Sequence, residues 1–351
     1  MIAMPPRAIT PFSCNQILKM IEAHTLNVER ITPQGADAVL LSLRPEAAAA
    51  QTFNFLPGQY LTLEGGPQEQ RQWRCYSITS APGNDSLIDV LVRRVPGGLV
   101  SNWVCDTLRP GDSVRVMPPA GRFLLREPEH AVQLFAGGSG IAPIVSLARQ
   151  ALERSTARVT LFYANRNRST LMLVDALNEL ALQYSDRFNV QYWFDDETGL
   201  PDAQTFKPML TAHDDTYICG PELFMQAVVS AAKAFGIPES RIHLESFAVD
   251  DEPDDGPDSD KQVVLEVTIA GATHEMTVKG NQTLLAAMLD ADLPVPFACR
   301  VGECASCMCR LVEGDVERLE NEVLDEDDEN DGWILACRSR ARTERIVVRF
   351  P

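Results

Sequence analysis

The residues whose types and spacing point most clearly to chemistry are four cysteines near the C-terminal end of the chain. Cys299, Cys304 and Cys307 follow the spacing C-x4-C-x2-C, and Cys337 lies far downstream. Three thiolates from one tight loop can wrap an inorganic cluster, and a fourth from a neighbouring strand can close it. The pattern therefore predicts that these cysteines ligate a two-iron, two-sulfur cluster. A structural zinc site and a set of buried free thiols are the alternatives.

The loop that carries these cysteines is built from small residues. Gly302, Ala305 and Ser306 lie between the ligands, and small side chains let backbone N–H groups approach the sulfurs, which helps to set the reduction potential. Cys309 follows the last loop ligand by two residues, and we expect it to start the next strand rather than to bind iron. The chain has nine cysteines, an odd number, which favours metal ligation in a reducing compartment over a disulfide framework.

Two further motifs lie where an α/β sheet would bind a nucleotide. Residues Gly137–Pro143 read G-G-S-G-I-A-P between an apolar strand and a helical segment. Glycines there allow close backbone approach, and the start of a helix favours a pyrophosphate. Cys219-Gly220-Pro221 ends a later strand, at the edge where open α/β sheets bind ligands. The first motif departs from G-x-G-x-x-G, and a plain strand–helix turn is its alternative.

The elements that must position these motifs fall into three groups. Between about His24 and Glu127, short apolar runs alternate with Pro-Gly pairs, which predicts an antiparallel β-barrel. These runs are Ala38–Leu43, Tyr60–Leu63, Leu87–Val92 and Ser113–Val116. From Ala131 onward, apolar strands alternate with helical segments such as Glu222–Phe235, which predicts a parallel sheet in an α/β domain. Its strands are Val132–Ala136, Val159–Tyr163, Val190–Phe194 and Tyr217–Cys219.

A third module follows an acidic stretch. Residues Asp250–Asp260 hold seven acidic and no basic residues, so we expect a solvated linker there. The module begins near Lys261 and contains strand-like Val263–Ile269, Glu275–Val278 and Arg345–Phe350, and helix-like Leu284–Asp290. The predicted organisation is an extension at 1–22 with no assigned function, a barrel at 23–128, an α/β domain at 129–248, a linker at 249–260 and the cysteine module at 261–351.

Charge and hydropathy exclude several classes of protein. The net charge is −18, and residues 261–351 carry 17 acidic against 10 basic residues. This balance repels phosphate backbones, so nucleic acid is not an expected partner, whereas an acidic face either steers a basic protein or is merely solvated. No stretch approaches the roughly 18 apolar residues of a membrane span, and Met1–Thr10 lack the apolar centre of a signal peptide. We expect a cytoplasmic protein without a transmembrane segment, and its oligomeric state stays open.

One strand motif resembles a known family. Arg74-Cys75-Tyr76-Ser77 is similar to the R-x-Y-S signature of the ferredoxin-NADP reductase superfamily, and segments 95–101 and 119–123 resemble its second and third flavin segments. The resemblance implies FAD, with FMN as the alternative, and it implies that Arg74 pairs with a phosphate, Tyr76 packs on the ring system and Ser77 hydrogen-bonds near flavin N5. The implied flavin residues are Arg74, Cys75, Tyr76, Ser77, Val92, Gly97, Gly98, Val100, Ser101 and Phe123.

The same superfamily has the form G-G-x-G-I-A-P and a C-G-P segment beside the nicotinamide. The residues implied to bind the dinucleotide are Gly137, Gly138, Ser139, Gly140, Ile141, Pro143, Asn165, Arg166, Arg168, Cys219, Gly220 and Pro221. Phe247 matches the family's terminal aromatic on the flavin, and Ser77, Cys219, Glu245 and Phe247 are the implied catalytic residues. An arginine after the second strand of the sheet can meet a 2′-phosphate, which favours NADPH and leaves NADH open.

The order of the modules resembles a particular kind of reductase. Residues 261–351 are similar to plant-type ferredoxins, whose family has a β-grasp fold. The order flavin, nicotinamide, ferredoxin resembles the reductase components of multicomponent oxygenases, such as those of phenylacetyl-CoA epoxidase and 3-ketosteroid 9α-hydroxylase. It implies hydride transfer from NAD(P)H to FAD, then single-electron transfer to the cluster and to a terminal oxygenase, hydroxylase or desaturase. The alternatives are a reductase of a quinone or ferric chelate and a non-catalytic redox sensor.

Overall fold

The computed structural model describes residues 23–68, 70–83, 87–126, 130–247, 261–321 and 323–351. These residues form two compact units, one of residues 23–247 and the other of residues 261–351. The predicted extension at 1–22, the linker at 249–260 and the domain boundary at 128–129 lie outside the described residues. The first unit combines the predicted barrel and the predicted α/β domain.

The barrel is a six-stranded antiparallel sheet with the strand order β4-β3-β6-β1-β2-β5. An antiparallel bridge between Ile78 and Val90 joins its two edges, so the sheet closes as predicted. Inward-facing side chains such as Leu26, Leu41 and Leu61 are fully buried. The strands are β1 (His24–Gln34), β2 (Ala38–Pro45), β3 (Tyr60–Gly65), β4 (Gln72–Ser77), β5 (Ile88–Arg93) and β6 (Ser113–Ala120).

One helix packs against the barrel where the sequence predicted only a flavin segment. Helix α1 (Leu99–Asp106) places Val100 and Val104, one turn apart, in the barrel core. A Cβ on Gly65 would lie 2.7 Å from Val100 Cγ1, so the helix approaches strand β3 closely. An eight-residue helix that buries one short stripe gives too little periodicity for a sequence pattern to detect.

The α/β part of the first unit contains a five-stranded parallel sheet with the order β11-β10-β7-β8-β9. Its strands are β7 (Val132–Gly137), β8 (Val159–Asn165), β9 (Phe188–Phe194), β10 (Asp215–Cys219) and β11 (Ile242–Glu245). The helices are α2 (Ile141–Arg154), α3 (Val174–Gln183), α4 (Asp195–Thr198), α5 (Ala203–Phe206) and α6 (Glu222–Phe235). The chain runs from β7 to β9 on one side and returns to β10 on the other, so the topological switch point lies between β7 and β10.

The second unit is a small mixed sheet covered by a helix. The sheet order is β13-β12-β18-β14-β16, in which β12 and β18 are parallel and the other pairs are antiparallel. Helix α7 buries Leu285 and Met288 against this sheet, which agrees with the predicted β-grasp fold. The elements are β12 (Gln262–Ile269), β13 (Ala272–Lys279), α7 (Leu284–Asp290), β14 (Met308–Glu313), β15 (Val316–Arg318), α8 (Glu326–Asn330), β16 (Trp333–Leu335), β17 (Ser339–Ala341) and β18 (Arg345–Arg349).

In the ranges that the structure describes, every helix is too short or too polar to cross a membrane.

Candidate functional site

The predicted flavin residues Arg74–Ser77 form the end of strand β4. Strand β3 pairs with them, so that Tyr60 lies opposite Ser77 and Leu63 opposite Arg74. The Arg74 guanidinium donates hydrogen bonds of 2.7 Å to the Trp73 carbonyl and to the Gln72 side chain, which fixes its direction. Ser77 is only 4% exposed, and burial raises the pKa of the Tyr76 phenol. Both hydroxyls are therefore neutral hydrogen-bonding groups in a largely apolar setting.

The second predicted flavin segment forms a tight turn before helix α1. The Val95 N–H donates to Ser101 Oγ over 3.2 Å, and Gly97 has a φ of +72°, the left-handed region that favours glycine. A Cβ on Gly98 would lie 2.6 Å from Ser101 Oγ, so a larger residue would break this turn. The first backbone N–H groups of α1 then have no partner within the helix, and phosphate oxygens can take them.

Three of the predicted flavin residues have side chains that pack in the protein interior. Val92 and Val100 pack among the apolar side chains of the barrel core, so their side chains point away from any ligand on its surface. Phe123 is 7% exposed and packs edge-on against Tyr217 of β10, with ring centroids 5.6 Å apart. Phe123 thereby joins the barrel to the α/β sheet. Cys75 Sγ lies 3.5 Å from Thr62 Oγ1 on the adjacent strand.

The two predicted nicotinamide motifs meet at the switch point. A Cβ on Gly140 would lie 2.1 Å from the Cys219 carbonyl oxygen, and one on Gly137 would lie 2.7 Å from Pro221 Cδ. Gly138 has a φ of +53°, which turns the chain from β7 into the helical segment that begins α2. The glycines are therefore required because two backbones approach each other there. The turn leads directly into α2, whose start is the predicted pyrophosphate position.

Cys219 and Glu245 end neighbouring strands and are brought together. They pair in register across β10 and β11, and Cys219 is fully buried. Burial, and secondarily the charge of Glu245, raise the pKa of the Cys219 thiol well above its ordinary value. The thiol therefore stays protonated at neutral pH and is no thiolate nucleophile. Phe247 follows β11 and is 50% exposed, so its ring is accessible.

The loop after β8 carries the predicted donor-binding residues Asn165, Arg166 and Arg168. Asn165 is 4% exposed at the strand end. Arg168 Nε and Nη2 donate to the two carboxylate oxygens of Glu197 over 2.7 and 3.1 Å, and its Cζ lies 4.4 Å from the ring centre of Phe194. The arginine that was predicted to meet a 2′-phosphate is thus paired in bidentate geometry with a carboxylate from α4, and the two side chains are 70% and 45% exposed.

Two charged residues beside the predicted donor site, Arg93 and Asp37, were missed by the sequence reasoning. Arg93 ends barrel strand β5, yet its Nη1 lies 3.2 Å from the Cβ position of Gly138 in the nucleotide turn. Its Nε donates to Asp37 Oδ2 over 3.1 Å, and the same oxygen accepts from Arg166 Nη2 over 3.3 Å. Arg93 therefore places a cation at the predicted pyrophosphate position. The sequence shows only a basic pair before Pro96-Gly97, and nothing local indicates its cross-domain contact.

The cysteine loop lies in the second unit and brings its thiols together in two pairs. Cys299 and Cys304 are hydrogen-bonded, and so are Cys307 and Cys337. The Cys304 hydrogen bond and nearby backbone N–H groups lower the pKa of the Cys299 thiol to about 6 despite its burial. Gly302 has a φ of +85°, and a Cβ on it would lie 2.8 Å from Arg338 Cγ. At Cys299 the loop therefore favours the thiolate, which is the form that binds iron, whereas the hydrogen bond with Cys337 and burial raise the pKa of the Cys307 thiol.

This arrangement fits a two-iron cluster better than a single zinc ion. Within the described ranges, no three Cys, His, Asp or Glu side chains converge on one metal position, whereas structural zinc needs four ligands around one point. Two separate thiol pairs suit two irons with two thiolates each. Cys299, Cys304, Cys307 and Cys337 are thus the residues that would hold the cluster. Cys309 is fully buried in β14, the strand that it was expected to start.

Three protein-family models match the chain in succession. An oxidoreductase FAD-binding domain covers residues 26–124, an oxidoreductase NAD-binding domain covers residues 134–230, and a 2Fe-2S iron-sulfur cluster binding domain covers residues 267–342. These matches confirm the predicted cofactors FAD, NAD(P)H and the 2Fe-2S cluster, and the predicted order of modules. Together with the fold, they define a flavin- and iron-sulfur-dependent NAD(P)H oxidoreductase.

Similar proteins narrow this class to a family. The ferredoxin reductase component of 3-ketosteroid-9-alpha-monooxygenase from Rhodococcus rhodochrous is 33% identical over 93% of this chain and 96% of its own. One component of the 1,2-phenylacetyl-CoA epoxidase from Escherichia coli is 29% identical over 94% of this chain and 98% of its own. The chain belongs to this family of ferredoxin reductases, in which FAD-, NAD- and 2Fe-2S-binding domains are joined in one polypeptide.

A solved structure shows the same fold. Phthalate dioxygenase reductase, described as a modular structure for electron transfer from pyridine nucleotides to 2Fe-2S, matches 93% of this chain and 98% of its own with a TM-score of 0.61 and 24% identity. Electrons in this chain run from NAD(P)H through FAD to the 2Fe-2S cluster. A bound flavin can take a hydride and release electrons one at a time, and the cluster can accept them singly.

Proposed function

We propose that this chain is the cytoplasmic reductase component of a multicomponent oxygenase and that it delivers electrons to a terminal oxygenase, hydroxylase or desaturase. The observation that carries the proposal is a donor site, a flavin site and a one-electron centre in a single chain. The relatives that resemble it over nearly their whole length are named as the reductase component of a monooxygenase and as part of an epoxidase. The cytoplasm is proposed because a thiolate-ligated cluster and free cysteines need a reducing compartment.

Within this function, we assign the flavin to the strand Arg74–Ser77 and the turn Val95–Ser101. The fixed guanidinium of Arg74 suits a phosphate, and the buried hydroxyl of Ser77 suits a hydrogen bond near flavin N5. The pyrophosphate of the donor belongs at the Gly137–Gly140 turn beside Arg93. Cys219, neutral and buried beside Glu245, then shapes the wall of the nicotinamide pocket.

The donor that fits these side chains best is NADH. The sequence favoured NADPH because Arg168 can meet a 2′-phosphate, but Glu197 holds the Nε–Nη2 edge of that guanidinium. A carboxylate beside the adenosine ribose accepts a hydrogen bond from a free 2′-hydroxyl and repels a 2′-phosphate. The ion pair therefore supports NADH as the preferred donor.

An acceptor comparison tests the proposed function. We expect kcat/KM for the oxygenase encoded with this chain to exceed the values for ferric citrate and for a soluble quinone, because the acidic residues of 261–351 can steer a protein acceptor to the cluster. The control is the rate at which NAD(P)H reduces each small acceptor under the same conditions when the oxygenase is absent. A kcat/KM for either small acceptor at least as high as that for the oxygenase would favour the small-acceptor reductase. No turnover with any acceptor would favour the redox sensor.

A further inference from the structure

The turn between barrel strands β1 and β2, residues 34–37, packs directly on the loop that follows β8. The Ala36 N–H donates to the Ser169 carbonyl over 2.8 Å, and the Leu173 N–H donates to Gln34 Oε1 over 2.8 Å. Gly35 has a φ of +55°, and a Cβ on it would lie 2.6 Å from the Leu171 carbonyl oxygen. The turn at residues 34–37 and the loop that follows β8 are thus in direct contact, partly through their backbones.

Asp37 ends this turn and places one carboxylate between two arginines. Its Oδ2 accepts from Arg93 Nε at 3.1 Å and from Arg166 Nη2 at 3.3 Å, and 24% of its side chain is exposed. Its backbone carbonyl accepts from the Arg94 N–H over 2.8 Å, which fixes the turn to strand β5. Without this negative charge, two guanidinium groups would repel each other at close range.

Both arginines belong to the proposed donor site, although they come from different parts of the first unit. Arg93 reaches from the barrel to the Gly138 turn, and only its Nε has a hydrogen-bond partner within the described residues. Its Nη1 and Nη2 groups therefore remain for phosphate oxygens. The Arg166 carbonyl accepts from the Asp196 N–H over 3.0 Å, which ties the loop after β8 to the start of α4.

We propose that Asp37 is a positioning residue for the nicotinamide dinucleotide. It acts through Arg93 and Arg166, which it holds in place for the pyrophosphate and the adenosine half of the donor. Because Asp37 belongs to the flavin barrel, this contact also ties the barrel to the loop that follows β8. The proposal rests on the proposed function, since it concerns the donor of that reaction.

The test is Asp37→Asn, which keeps the shape of the side chain and removes its charge. We expect KM for NADH to rise about tenfold while kcat with ferricyanide stays within about twofold and the flavin content is unchanged. The affinity for ADP-ribose, measured by calorimetry, should fall by the same factor, because this probe carries the pyrophosphate but no nicotinamide. Asp37→Glu, which keeps the charge, should restore at least part of that affinity.

Two comparisons distinguish a role of Asp37 in positioning the donor from a role in stability alone. Glu29→Gln removes a more exposed ion pair with Arg44 in the same barrel and should leave KM and ADP-ribose affinity at wild-type values. In an Arg93→Ala background, Asp37→Asn should weaken ADP-ribose binding less than it does alone, because part of its effect passes through Arg93.

A lower melting temperature with unchanged KM and ADP-ribose affinity would make Asp37 a structural brace and overturn the proposal. If the losses of ADP-ribose affinity caused by Asp37→Asn and Arg93→Ala were fully additive, Asp37 would not act through Arg93. If wild-type protein neither oxidised NAD(P)H nor bound ADP-ribose, the proposed function itself would have failed. If wild-type protein oxidised NAD(P)H and bound ADP-ribose, and Asp37→Asn had the same KM and the same affinity, only the positioning role of Asp37 would be disproved.

Discussion

At the level of single residues, the hydroxyl of Ser77 is the group we expect to govern flavin reduction. Ser77 is 4% exposed at the end of β4, so a hydrogen bond to the flavin would form out of water. We predict that Ser77→Ala keeps its flavin but is reduced by NAD(P)H roughly tenfold more slowly, equivalent to about 1.4 kcal/mol of transition-state stabilisation. Stopped-flow absorbance of the flavin measures this rate.

The matched control is Ser113→Ala, which removes an exposed serine that hydrogen-bonds Asn27 elsewhere in the barrel. We expect NAD(P)H to reduce the flavin of this variant at the wild-type rate. A wild-type rate in Ser77→Ala itself would remove Ser77 from the catalytic residues.

Donor choice is the second property set by a single residue. Glu197→Gln removes the charge that holds Arg168, and it frees the guanidinium for a 2′-phosphate. We predict that the ratio of kcat/KM for NADPH to that for NADH rises about tenfold, the order expected for one charge-assisted hydrogen bond of roughly 1.5 kcal/mol. The affinity for adenosine 2′,5′-bisphosphate should rise in parallel.

The double variant Glu197→Gln/Arg168→Ala is the control, and it should lose this gain because the freed guanidinium is absent. A wild-type protein that prefers NADPH, or a ratio that Glu197→Gln leaves unchanged, would contradict the proposed role of Glu197.

At the level of elements, the contact between the β7–α2 turn and the end of β10 shapes the donor site. Gly140→Ala would place a Cβ 2.1 Å from the Cys219 carbonyl oxygen, and the atoms that it meets in Cys219 and Gly220 are all backbone, so the turn must move. We predict a destabilisation of several kcal/mol of the first unit and at least tenfold weaker ADP-ribose binding, while the cluster absorbance persists. Thermal unfolding and calorimetry measure the two effects.

Gly111→Ala provides the comparison, because Gly111 has a φ of +94° but nothing lies within 4 Å of its Cβ position. It should cost only about 1 kcal/mol, the strain of a left-handed residue, and leave ADP-ribose binding intact. Equal effects of the two substitutions would show that backbone strain, and not the approach to Cys219, decides the outcome.

Elements with a local signal were predicted well from the sequence. The helices Glu222–Phe235 and Leu284–Asp290 occur at the predicted residues, because their apolar periodicity or end signals are local. The spacing of the four cysteines also predicted them as cluster ligands, and that assignment stays a prediction, although the structure places their thiols in two close pairs. The ion pairs of Asp37 and Glu197 were not found, because they join residues more than 25 positions apart and depend on packing. Helix α1 was missed because it buries only a short stripe.

At the level of the whole molecule, the redox sites divide between the two units. The flavin strand, the nucleotide turn and the loop after β8 all lie in residues 23–247, whereas the four cluster cysteines lie in residues 261–351. Each unit has its own buried core, so loss of one site should leave the other folded. We infer that electrons enter at the first unit and leave through the second.

The most direct test of this claim is Cys304→Ser, which replaces a thiolate by a hydroxyl that ligates iron poorly. Cys309→Ala, at a buried cysteine two positions beyond the loop ligands, is the matched control and should keep the cluster. In verified cluster-free Cys304→Ser, we predict near wild-type reduction of ferricyanide, which can take electrons from reduced flavin. Cytochrome c reduction should fall at least tenfold, a barrier change of about 1.4 kcal/mol or more. Wild-type rates with both acceptors would show that the second unit is not the exit for electrons.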